Sequence, residues 1–89
     1  MTIHMKNFGT HLITRQAAKG LLKSVILVEP PVLDFAGVKI ANHPFMDELG
    51  KGIAAQVHLS NLHSVKVENS NSYIDRSAAA GFATACQAA

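Results

Sequence analysis

Apolar and polar residues along this chain follow two rhythms, one of period two and one of helical period, and their succession predicts its elements. Met1–Phe8 carries Ile3 and Met5 on one side and Thr2, His4, Lys6 and Phe8 on the other. That alternation predicts a strand, closed by Gly9. Leu12-Ile13 predicts a second short strand after the turn. Ala18, Leu21, Leu22 and Val25 then recur at i, i+3, i+4 and i+7, with Arg15, Gln16, Lys19 and Lys23 largely on the other side. This is a helical face running to about Val25, with Thr14 as its cap. Gly20 costs that helix about 1 kcal/mol relative to alanine, and a close approach to a sheet would account for it.

Ile26-Leu27-Val28 is compatible with continuing the helix or starting a strand, and Pro30-Pro31 ends regular structure. The stretch from Val32 to Leu49 organises the rest. Val32, Leu33 and Phe35 predict a buried strand through Ala36, interrupted by Asp34. Gly37 supplies a permissive backbone at its end. Asn42 as cap and Pro44 in the first turn predict a helix from about Pro44 to Val57. Phe45, Leu49, Ile53 and Val57 form its inner face, with Met46 and Ala54 beside them. Asp47 and Glu48 fall in its early turns, where negative charge suits the helix dipole. Gly50 and Gly52 weaken the helix but permit close packing. Leu59–Leu62, with Ser60-Asn61, reads as a loop. Val65 and Val67 alternate with Ser64, Lys66 and Glu68, predicting a third strand. Asn69–Ser72 is a turn, and a last helix runs from Ser72 to about Gln87 with Ile74, Ala78, Phe82 and Ala85 inward.

The order strand, helix, strand, helix, strand, helix predicts a layered α/β domain. Its central sheet is mostly parallel, with three to four strands, about three helices and right-handed crossovers. Eighty-nine residues predict one domain over 1–89. With 6% aromatic residues and no Trp, the core has to be aliphatic around four Phe. A formal charge of +2, spread along the chain, argues against nucleic acid, which takes a clustered basic stripe. A single cysteine, Cys86, cannot form an intrachain disulfide and favours a reducing compartment. No apolar run approaches the roughly 20 residues of a membrane helix, and Met1–Lys6 lacks a signal peptide's apolar core. The expected location is cytoplasmic, with no membrane association.

Phe8-Gly9-Thr10-His11-Leu12-Ile13-Thr14-Arg15-Gln16-Ala17-Ala18, then Leu33-Asp34-Phe35-Ala36-Gly37-Val38 and Phe45-Met46-Asp47-Glu48-Leu49, resemble the STAS-like domains of unknown function. Those are small bacterial proteins related to anti-sigma-factor antagonists. The match covers roughly residues 8 to 55, in order and without insertions. It implies a STAS-like fold and a non-catalytic regulatory module that binds protein. Related STAS domains switch partners when a serine at the start of the helix after the Leu-Asp-Phe-type strand is phosphorylated by an ATPase of the histidine-kinase-like fold. Here that place reads Asn42-His43-Pro44, so the switch does not carry over. The partner implied is such an ATPase or another regulator. A host regulator and a phage-type inhibitor borrowing the fold stay equally open.

The predicted partner surface is Asn42, His43, Asp47 and Lys51, while Asp34, Gly37 and Pro44 shape the turn before it. A competing reading is a small ligand-binding protein or enzyme, whose polar site at the strand ends would combine Asp34, Asn42 and His43. No catalytic constellation supports it. Asp47 and Glu48 are sequence neighbours and point about 100° apart on a helix, so they do not converge as an acid–base pair. His4, His11, His58 and His63 have no metal-type spacing with one another or with Cys86, and no cofactor fingerprint is present. A homodimer would use the Ala-rich last helix.

Overall fold

The computed structural model describes residues 1–59 and 61–88. The chain runs β1 (Thr2–His4), a 3-10 turn (Met5–Phe8), β2 (His11–Leu12), α1 (Arg15–Ser24), β3 (Val32–Asp34), β4 (Ile40–Ala41), α2 (His43–Val57), β5 (Lys66–Glu68) and α3 (Ser72–Ala88). Strands β1, β3 and β5 form one parallel sheet with β3 in the centre. A separate parallel pair joins β2 to β4. The α/β class and the parallel pairing are those expected from the alternating rhythms, and the element order matches roughly, with the β2–β4 pair standing outside the main sheet.

Period two decides which side of the sheet is covered. Ile3 and Leu33 are buried and Val67 is half-buried, whereas Thr2, His4, Lys66 and Glu68 are exposed. Helix α2 packs against both α1 and α3. The core is aliphatic around the fully buried Phe35 and Phe45, with Met5, Leu21, Leu33, Met46, Leu49, Ile53 and Ile74 among the rest. Each such side chain contributes about 1.5–3 kcal/mol by leaving water. Close helix contact depends on glycine. A Cβ on Gly50 would lie 2.9 Å from Leu62 and Phe82 atoms, and one on Gly52 2.1 Å from Leu22.

The structure corrects several expectations. The first strand stops at His4 and Met5–Phe8 winds into a 3-10 turn. Pairing with β3 covers only Thr2, Ile3 and His4, and the chain turns at Met5. Strand β4 was not apparent in the sequence, because two residues carry no period; it exists by pairing Ile40 with His11 and Ala41 with Leu12. Ile26-Leu27-Val28 is neither helix nor strand. Gly20 touches nothing: a Cβ there would meet no atom within 4 Å, so no sheet contact explains it. Gly37 does meet its expectation, with φ at 82° in the turn after β3. The predicted loop at Leu59–Leu62 includes Ser60, which lies outside the described residues.

Candidate functional site

Two short strands set the site. Leu12 pairs with Ala41, and the Asn42 amide donates to the Leu12 carbonyl at 3.1 Å. Both strands lead directly into helices, so α1 and α2 begin close together. Thr14 caps α1, its hydroxyl oxygen accepting from the Ala17 amide at 3.0 Å. Asn42 caps α2, its Oδ1 accepting from the Phe45 amide at 3.3 Å, with Pro44 in the first turn. Each cap satisfies an amide that the first helical turn leaves without a backbone partner.

The two helix starts are joined by an ion network. Arg15, the first residue of α1, donates to Asp47 Oδ2 at 2.6 Å and reaches Glu48 at 3.5 Å. Lys51, one turn further along α2, approaches the same Asp47 Oδ2 at 3.3 Å. Asp47 is 1% exposed, while the Arg15 and Lys51 side chains are 45% and 41% exposed. Burial pushes the Asp47 carboxyl up, but hydrogen bonds from Arg15 and Lys51, with their charges, outweigh it and hold the carboxyl below its ordinary value. The hydrogen bond to Asp47 in turn raises the Arg15 guanidinium, against a smaller cost of burial. Both cations serve Oδ2; Oδ1 is buried and has no hydrogen-bond partner among the described residues.

His43 begins α2 and is exposed. Its Nε2 lies 3.1 Å from Thr84 Oγ1 on α3. The Thr84 hydroxyl spends its only proton on the Ala80 carbonyl at 3.0 Å. His43 Nε2 is therefore the donor in this pair, an assignment made from the network. Its Nδ1 makes no hydrogen bond among the described residues.

The sequence-predicted partner residues thus divide. His43 and Lys51 are at the surface, Asn42 is half-buried with its oxygen spent on the cap, and Asp47 is inside. Asp47 cannot be touched by a partner and instead positions residues that can be. Sequence reasoning missed Arg15 in this role, placing it on the solvent side of α1. One signal was present: a cation at a helix N-terminus opposes the dipole and calls for a carboxylate nearby. Nothing in the sequence pointed to Thr84.

Asp34 stands elsewhere. Its Oδ1 accepts from the Ala36 amide and from Asn69 Nδ2, each at 2.9 Å, and its Oδ2 lies 3.3 Å from His4 Nδ1. The Asn69 hydrogen bond, followed by that from Ala36, keeps this carboxyl below its ordinary value. This is the turn-holding role that a strand-end Asp suggests. No hydrogen bond joins Asp34 to Asn42 or His43 among the described residues. A cavity of about 330 Å³ lies between α3 and the segment before β5, lined by Leu62, His63, Phe82, Ala83 and Cys86 among others. It includes none of those three residues. No group of three or more His, Cys, Asp or Glu among the described residues can hold a metal ion. No helix among them is long and apolar enough to cross a membrane.

No family model, curated protein or solved structure matches the chain.

Proposed function

We propose that this chain is a non-catalytic regulatory module that binds a protein partner over the two helix starts. One observation carries the reading: Arg15 and Lys51, from different helices, converge on one oxygen of the buried Asp47. Both side chains stay partly exposed, at 45% and 41%. Side chains held this way lose little freedom on binding, which lowers the cost of association. The partner surface that suits them is acidic, because two helix N-termini add partial positive charge. Neither α1 nor α2 carries an acidic residue in its first turn; the carboxylates that pair with the two cations, Asp47 and Glu48, come later in α2.

The resemblance to STAS-like domains supports the same reading and names an ATPase of the histidine-kinase-like fold as a candidate partner. Asn42-His43-Pro44 offers no hydroxyl to phosphorylate, so binding here is constitutive or controlled elsewhere. The competing reading, a small polar ligand or reaction site built from Asp34, Asn42 and His43, draws less support. The hydrogen bonds of these side chains lead to the sheet edge, the α2 cap and α3 respectively.

The test is photo-crosslinking in the source cells, with the reactive group at Gln16 beside the site or at Lys66 on the sheet. A protein adduct from position 16 and not 66, lost in a folded His43→Ala, Lys51→Glu variant, is the expected result. No adduct at position 16, or one indifferent to that variant, overturns the proposal.

A further inference from the structure

The cavity between α3 and the segment before β5 is formed before anything enters it. Two of its lining side chains, Leu62 and Phe82, rest on Gly50 of α2, where an added Cβ would lie 2.9 Å from each. The segment facing α3 is fixed by its own hydrogen bonds. Asn61 Oδ1 accepts from the His63 amide at 3.0 Å, and the Val65 amide donates to the Leu62 carbonyl at 3.1 Å. A preformed, mostly apolar hollow is the usual condition of a small-molecule site. At about 330 Å³ the volume stands at the low end for such sites, which run from about 300 to 1,000 Å³. Arg15, His43, Asp47 and Lys51 take no part in its walls, so it is separate from the helix-start surface.

We infer that this cavity binds a small uncharged aromatic molecule carrying one hydrogen-bonding group, of the indole or phenol kind. The volume admits about one or two rings. The charge follows from the walls. No Lys, Arg, Asp or Glu stands among the described residues that line the cavity. A charged ligand would lose its water there without gaining an opposite charge. The aromatic character follows from Phe82, which offers a ring for stacking or edge contact. Ala79 and Ala83 on the same helix line the cavity with side chains of a single carbon, leaving room beside that ring. The polar side chains of the lining are those of Asn61, His63 and Cys86. Asn61 has its oxygen spent on the His63 amide, while its Nδ2 and the His63 ring make no hydrogen bond among the described residues. Together they can meet one hydroxyl or ring N–H of a ligand.

Titration of isotope-labelled protein with indole, followed through its amide resonances, tests this. Saturable shifts are expected in Asn61, Leu62 and His63 and along α3 from Ala79 to Cys86, with the rest of the chain little changed. Cys86 is the single cysteine of the chain, so its reaction with a maleimide gives a second readout, and bound indole is expected to slow it. Ala79→Phe and Ala83→Phe place a ring in the cavity from exposed helical positions, so folding survives. Combined in one chain, they are expected to weaken indole binding by about tenfold or more. Indole-3-acetate, which adds a carboxylate to the same ring system, is expected to bind about tenfold more weakly than indole. No saturable shift up to the solubility of indole, or shifts spread evenly over the surface, overturns the inference. So does binding that ignores the phenylalanine substitutions, or an acetate that binds as well as indole.

Discussion

The Arg15 guanidinium meets the Asp47 carboxylate at 2.6 Å across α1 and α2, 32 positions apart in the chain. The contact satisfies one oxygen of a carboxylate that burial alone would have driven toward its neutral form. It also ties two helices whose starts are already side by side through the β2–β4 pair. A cation at the first position of a helix opposes the dipole, and here the opposition is offset by a neighbouring helix.

That contact gives the protein an acid sensitivity of defined sign. The Asp47 carboxyl in the folded state lies below its ordinary value of 3.8. As pH falls the unfolded chain therefore takes up the proton first. The stabilisation is complete above about pH 5 and is lost progressively as pH drops through the ordinary carboxylate range toward the folded-state value. Asp34 acts in the same direction. Asp47→Asn is expected to be less stable at neutral pH and to show a shallower decline in acid. Urea midpoints measured from about pH 7 to about pH 2 check this; parallel curves for the two proteins would contradict it.

Gly81→Ala is expected to be among the most damaging single-methyl additions to this chain. The new Cβ would lie 2.6 Å from Met46 Cβ and 2.8 Å from the Asp47 amide nitrogen. Backbone cannot step aside as a side-chain tip can. Overpacking of this kind costs about 1–3 kcal/mol, sometimes more, which for a domain of this size lowers Tm by roughly 4–8 °C per kcal/mol. Thermal unfolding by circular dichroism reads it directly.

Gly20→Ala is expected to do the reverse. The position is helical and exposed, and an added Cβ meets nothing within 4 Å. The gain is the helix-propensity difference, about 1 kcal/mol. A lower denaturation midpoint in this variant would show that Gly20 has a contact or a role its surroundings do not reveal.

Removing a cap tests how far each helix start supports itself. Asn42→Ala and Thr14→Ala each lose one side-chain acceptor, and each is expected to cost about 1 kcal/mol. Asn42→Asp is expected to retain most of the cap, since its oxygen can still accept from the Phe45 amide. Chemical denaturation of the four proteins, wild type included, gives the comparison.

Much of this fold was legible in local signals. Thr14, Asn42 and Pro44 marked helix starts by side-chain chemistry acting over three residues, and the structure uses them as read. Leu21, Leu49, Ile53 and Ile74 revealed helix faces through spacing alone. What stayed hidden depends on partners distant in sequence. Ile40-Ala41 becomes a strand only because His11-Leu12 lies alongside, and the first strand ends where its pairing with β3 ends. The same distinction governs the site. His43 stood out because a turn and a proline frame it. Asp47 looked like an exposed helix-start charge because nothing nearby announces the arginine, contributed by another helix, that draws it inside.

The packing of Gly81 against Met46 and Asp47, and of Phe82 and Ala85 against Gly50, also bears on how the chain emerges from the ribosome. Helix α3 is synthesised after everything it covers. Until its 17 residues are released, the α2 face that includes Met46 stands open to water while the strands and α1 are already available to assemble. The nascent chain is most prone to sticking to its neighbours in that interval.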